Sequence, residues 1–175
     1  MRRHHHQHAQ TLPELLITLS ILTIVIGFVT PAVGSMLQKN RHTSEINQLH
    51  ASLNFARSMA IQTRTMVSLC AGDHSCEDTR NWQGRILIFV DKNRNGTLDD
   101  DEQLLKAVDI NPRHKWHWSN FRQQSYMSFR PDGMTHSLNG TFTLCDQQLA
   151  IKGLVINITG RAITSQQAEP DKCQG

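Results

Sequence analysis

LPELLITLSILTIVIGFVTPAV, residues 12–33, decides how this chain is built. No charged residue occurs from Leu15 to Gln38. At a helical rise of about 1.5 Å per residue, that stretch outspans the roughly 30 Å hydrocarbon core of a bilayer. A membrane helix or a secretory signal is therefore expected, not a buried core helix. Two features weigh against a discarded signal: the run is longer than the apolar region of such a signal, and a single carboxylate, Glu14, sits at its entry. A lone acid in a bilayer is costly and is retained where a partner charge compensates it. Pro13 is tolerated in the first helical turn, because its missing N–H would be unpaired there anyway. Pro31 lies deep in the pattern and predicts a kink. Arg2 and Arg3 precede the run, and positive residues before a first span stay in the cytoplasm, so the rest of the chain is expected outside.

The 175 residues suffice for one modest domain beside this segment. Net charge is +3, but the opening MRRHHHQHA carries two arginines and no acid, so the remainder is close to neutral. Bulk charge thus gives no reason to expect strong non-specific nucleic-acid binding. Cys70, Cys76, Cys145 and Cys173 all lie beyond the apolar run, which points to disulfides in an oxidising compartment. Four cysteines allow three connectivities. The favoured one joins Cys70 to Cys76 as a short local loop and Cys145 to Cys173 as a pin for the C-terminal tail. There is no CxxC pair for a zinc knuckle or a dithiol redox site, and no HExxH or GxSxG, so an enzyme is not expected.

Past the apolar run, Ile46, Leu49, Leu53, Ala56 and Ala60 recur at alternating intervals of three and four, one face of an amphipathic helix. No strong breaker interrupts residues 35–63, so a single long helix is predicted from about residue 12 to the mid-sixties. Its polar face, with Lys39, Arg41, Glu45, Arg57 and Arg64, reads as solvated. Short strands then follow at 65–70, 84–90, 103–110, 115–119, 125–130, 140–145, 148–153 and 154–159, with the turn PDG at 131–133. The expectation is an α+β fold in which an antiparallel sheet packs against the helix.

The string QTLPELLITLSILTIVI, residues 10–26, resembles the leader junction of type IV pilins and type II secretion pseudopilins. In that family a short basic leader is removed by prepilin peptidase and the new first residue is methylated. A Glu stands fifth and a Pro twenty-second in the mature chain. With cleavage between Ala9 and Gln10, Glu14 and Pro31 take those two places; Ala9 and Gln10 stand where the family usually has Gly and Phe. The resemblance implies that Glu14 pairs with an N-terminal amine, its own or a neighbouring subunit's. FVDKNRNGTLDDDEQLL (89–105), FRPDGMT (129–135), GTFTLC (140–145) and ITGRA (158–162) further resemble the GspH/FimT branch of minor pilins and pseudopilins. The implied organisation is a leader over 1–9, a transmembrane and filament-core segment over 10–34, and a pilin-like periplasmic domain over 35–175 that includes the second half of the helix. The implied function is that of a minor type IV pilin in pilus assembly and priming. Its partners would be other minor and major pilins, prepilin peptidase and the inner membrane, and no cofactor is required. The alternatives in view are a pilin that captures DNA for natural transformation and a GspH-type pseudopilin of type II secretion.

Two constellations outside the helix carry candidate chemistry. DKNRNGTLDDDE, residues 91–102, follows the calcium-loop pattern with Asp91, Asn93, Asn95, the Thr97 carbonyl, Asp99 and Glu102 as oxygen donors for Ca²⁺. A strand rather than a helix enters this loop, and the competing reading is an Asx-rich hairpin turn hinged at Asn95-Gly96. For DNA, Gly160-Arg161 is half of the Gly-Arg-x-Arg string of a DNA-uptake pilin that the FimT branch resembles. Lys115, Arg122 and Lys152 are further candidate cations. Trp116 and Trp118 would either stack bases beside these cations or, at alternate spacing, face the core.

Overall fold

The computed structural model describes residues 12–136, 138–166 and 168–174, with the side chains of 28–32 set aside. Its first element is the helix α1, Leu12–Thr63, which includes Pro31. Leu, Ile, Met and Ala supply helix-forming positions through most of it. It stops at Arg64, whose φ of 54° is left-handed and cannot continue a right-handed helix. Just before the stop, the Thr63 hydroxyl donates to the Met59 carbonyl at 2.7 Å. The chain divides into two compact units, one ending at Arg41 and one running from His42.

In the second unit, Ile46, Leu49, Leu53, Ala56 and Ala60 are all buried and join one core with both sheets. The spacing of three and four therefore marks the packed face, and the two alanines let the helix backbone lie close to its neighbours.

The strands are β1 (Val67–Ala71), β2 (Asn81–Trp82), β3 (Arg85–Val90), β4 (Leu104–Asp109), β5 (His114–Asn120), β6 (Met127–Phe129), β7 (Gly140–Asp146), β8 (Leu149–Ile156) and β9 (Ala162–Ser165). They form two antiparallel sheets rather than one, ordered β4-β3-β1-β6 and β2-β5-β7-β8-β9. The segments 148–153 and 154–159, expected as two strands, are the single strand β8. Gly153 does not break it, because the ladder holds that residue between Thr143 and Ser165. β9 and the two-residue β2 were not expected; each is too short to show a period of two.

β1 is buried along its whole length, as are Ile86–Val90 of β3. One face of this sheet meets the main core, and the other carries Cys70, Leu87 and Phe89 under Cys76, Leu98 and Tyr126. A strand covered on both sides reads as a continuous apolar run, which is how VSLCA and ILIFV appear. Cys70 is bonded to Cys76 and Cys145 to Cys173, with Cα separations of 5.5 and 5.6 Å. The second bond ties the turn Pro170–Lys172 to the end of β7.

Candidate functional site

In the unit that ends at Arg41, large aliphatic side chains are exposed at Leu12, Leu15, Leu16, Ile17, Leu19, Ile21, Leu22, Ile24, Val25 and Ile26, and again at Val33, Met36 and Leu37. These positions include consecutive residues and so circle the helix instead of forming a stripe. A helix apolar all round is stable only when something apolar surrounds it. Its hydroxyls fit such surroundings: Thr18 donates to the Leu15 carbonyl at 2.9 Å, Ser20 to Leu16 at 2.7 Å and Thr23 to Ser20 at 2.8 Å. Each returns its proton to the helix's own backbone and asks nothing of the outside. Glu14 is exposed in the first turn, where the helix dipole favours a negative charge. Among the described residues no helix is long and apolar enough to cross a membrane; the described side chains of the run stop at Gly27 and resume at Val33. Ala9 and Gln10 lie outside the described residues, as does the side chain of Pro31.

The loop after β3 turns its oxygens inward onto its own backbone. Asp91, only 1% exposed, accepts from the Asn95 and Gly96 amides at 3.1 and 3.0 Å and from the Ser68 hydroxyl at 2.6 Å. Asn95 Oδ1 accepts from the Thr97 amide, and Asn93 Oδ1 from that of Asn95. Asp99 accepts from the Asn93 and Asn95 side-chain amides, and Glu102 from the Lys92 backbone N–H at 2.7 Å. Every side-chain donor named for Ca²⁺ thus holds a hydrogen bond that shapes an Asx-rich turn.

The expected cations do not share one surface. Lys115 lies opposite Cys145 on β7, and Lys152 lies opposite Leu144. Neighbours on a strand face opposite ways, so the two lysines project from opposite faces of the second sheet. Arg122 follows β5, and Arg161 sits in the turn before β9. Stacking by Trp116 and Trp118 is overturned, since both are buried. Trp118 stacks on Phe142 with centroids 4.1 Å apart and donates its indole N–H to the Tyr126 carbonyl at 3.0 Å. The alternating tryptophans are core, the commoner fate of a large apolar ring. A basic cavity of about 530 Å³ lies elsewhere, lined by Arg64, Lys92, Arg94, Arg130 and His136 around the edge of Asp91. Lys92 and Arg130 are already paired there with Asp101 and Asp132.

One cluster was not visible in the sequence. His42 on α1, His114 at the start of β5 and Asp146 at the end of β7 bring their ligand-type atoms within 4.8 Å of one another. His42 Nε2 is 2.9 Å from Asp146 Oδ2 and His114 Nε2 is 3.9 Å from it; Glu45, one turn along α1, reaches 3.7 Å from His114 Nδ1. Among the described residues it is the sole cluster of three or more His, Cys, Asp or Glu that converges in this way. The signal that unites it is the ladder register, which sets His114 opposite Asp146. No local spacing could reveal it.

Comparison with known proteins follows the same lines. The family described as Type II transport protein GspH matches residues 45–160, and the prokaryotic N-terminal methylation motif matches residues 4–30. Two crystal forms of the type IV minor pilin FimU of Pseudomonas aeruginosa strain PAO1 share the fold, each at 20% sequence identity. Their TM-scores are 0.56 and 0.60, covering 75% and 78% of this chain and 98% and 97% of theirs. No curated protein matches the sequence.

Proposed function

The chain belongs to the GspH family of pilin-like proteins, and on that premise we propose that it acts as a minor subunit of a type IV pilus. In this reading it is held in the inner membrane by its N-terminal helix, with the unit from His42 onward in the periplasm. Prepilin peptidase frees Gln10, and the helix then passes into the filament, where neighbouring helices replace lipid around it. One observation carries the reading: an aliphatic surface that circles the helix from Leu12 to Ile26, with Thr18, Ser20 and Thr23 satisfied on their own backbone. Such a surface suits lipid and a bundle of like helices equally well, as a part that must move from one to the other requires.

Glu14 supplies direction to that transfer. A carboxylate near one end of an apolar helix is stabilised in the filament by the free N-terminal amine of a neighbour, which fixes the axial step between subunits. The test is Glu14→Ala, scored by the amount of this protein in sheared filaments against the amount in the membrane. The expected result is a normal membrane level with loss from the filament fraction; normal incorporation would remove the role of the carboxylate. Intact mass of the mature chain checks the step before it, with a start at Gln10 expected.

The type II secretion pseudopilus uses the same helix chemistry, and co-purification with secretion components in place of pilins would assign the chain there. DNA capture draws less support. Its stacking partners are buried, and Lys115 and Lys152 project from opposite faces.

A further inference from the structure

We propose that His42, His114 and Asp146 bind a divalent metal ion of the zinc class, clamping α1 to the ends of β5 and β7. The proposal concerns the second unit alone and does not depend on the filament reading.

The side chains are largely withdrawn from water: His114 is 4% exposed, Glu45 10%, His42 13% and Asp146 19%. Two carboxylates and two imidazoles thus share a small dry volume. His42 Nε2 already meets Asp146 Oδ2 at 2.9 Å, and a divalent cation would engage both imidazoles and this carboxylate at once.

The donor set is chemically apt, since two imidazole nitrogens and one carboxylate oxygen suit zinc-class ions rather than calcium or magnesium. Bonds of about 2.0–2.2 Å in a tetrahedral shell set ligand atoms roughly 3.4 Å apart. The distances of 2.9 and 3.9 Å to Asp146 Oδ2 bracket that value. Small side-chain rotations therefore bring the three atoms onto one ion, leaving the fourth place to water.

A second observation points the same way. His114 Nδ1 is buried without a hydrogen-bond partner. When Nε2 of a histidine binds a metal, Nδ1 carries the proton and turns to a carboxylate or carbonyl that orients the ring. Glu45 Oε1, 3.7 Å from His114 Nδ1, is the carboxylate in place for that task. His42 and Glu45 lie one helical turn apart on α1, so the helix would supply both a ligand and the group that orients another. Glu45 is thus a positioning residue.

The test uses the full chain in detergent with His4, His5, His6 and His8 changed to Gln, so that the histidines of the opening segment add no ligands. Co²⁺ is the probe, because zinc itself is spectroscopically silent. One equivalent of Co²⁺ is expected to give visible d–d absorption of tetrahedral strength, displaced by Zn²⁺. His114→Gln and Asp146→Asn are expected to abolish the band. Glu45→Gln, which keeps the three ligands, should weaken binding by about 10- to 100-fold. If His114→Gln fails to fold, His42→Gln at the rim of the cluster serves in its place. Absence of the band in the parent chain would overturn the proposal. A band of unchanged affinity in the ligand variants would overturn it too, as adventitious binding elsewhere.

Discussion

Gly160 stands where an added β-carbon would fall 2.3 Å from the carbonyl oxygen of Gly133. The same Gly133 oxygen accepts the Nε–H of Arg57 on α1 at 2.9 Å. Two turns far apart in sequence, PDG and TGR, are thereby stacked on one another and hooked to the helix. Gly160 also holds φ at +75°, a second reason that only glycine fits.

Gly160→Ala is therefore expected to destabilise the fold by about 1–3 kcal/mol. Arg161→Ala, beside it and exposed, should stay within roughly 0.5 kcal/mol. Chemical denaturation of both variants checks the contrast. Equal losses would mean that the arginine side chain contributes as much to the turn as the glycine backbone does.

Asp91→Ala should cost about 2–4 kcal/mol, because it removes the acceptor of the buried Gly96 amide, a partner of the buried Ser68 hydroxyl and one of the two acceptors of the Asn95 amide. Ser68 also shares a hydrogen bond with Ser128 at 2.7 Å, so the loss reaches from the loop into β1 and β6. Thermal unfolding measures it; a variant as stable as the parent would show that the loop is held by something other than this carboxylate.

The two disulfides differ in the chain they enclose, with sequence separations of 6 and 28. On loop-closure entropy, Cys70→Ser with Cys76→Ser should cost about 2 kcal/mol, and Cys145→Ser with Cys173→Ser about 3–4 kcal/mol. Denaturant midpoints of the two double variants give the order. The reverse order would place most of the effect in native packing rather than in the unfolded chain.

His117 has its pKa lowered by burial first and then by Arg80, Lys172 and Lys115. Its Nδ1 lies 2.7 Å from Asn81 Oδ1. The unfolded chain takes up this proton more readily than the folded one, so the contribution to stability is fully present above the ordinary histidine pKa of about 6.5. It is lost progressively as pH falls from there through the lowered folded value. A proton NMR titration of the His117 ring should give a midpoint below the ordinary histidine value of about 6.5; a midpoint at or above it would contradict the assignment.

Much of this was legible along the chain, because it is written in local periods. The face of Ile46, Leu49, Leu53, Ala56 and Ala60, the unbroken helix and most strands follow from spacing and turn residues. The division into two sheets does not, because it depends on which strands meet, and neither β2 nor β9 is long enough to announce itself. Residues 91–102 match a calcium loop letter by letter, yet the same Asp and Asn oxygens serve equally well to cap backbone amides, and pattern alone cannot separate the two uses. Trp116 and Trp118 posed a similar choice, decided by burial. The His42, His114 and Asp146 cluster was beyond reach because tertiary packing alone assembles it.

The sheet edges bear on how copies of the chain can meet without going wrong. The outer strands of the larger sheet are Asn81–Trp82 and Ala162–Ser165, and β6 at one margin of the smaller sheet spans only Met127–Phe129. Exposed edges are where proteins recruit stray strands and grow into insoluble ribbons, and short edges are a common defence. Three of the four edges therefore offer little foothold for runaway β-stacking, the fourth being the six-residue strand β4.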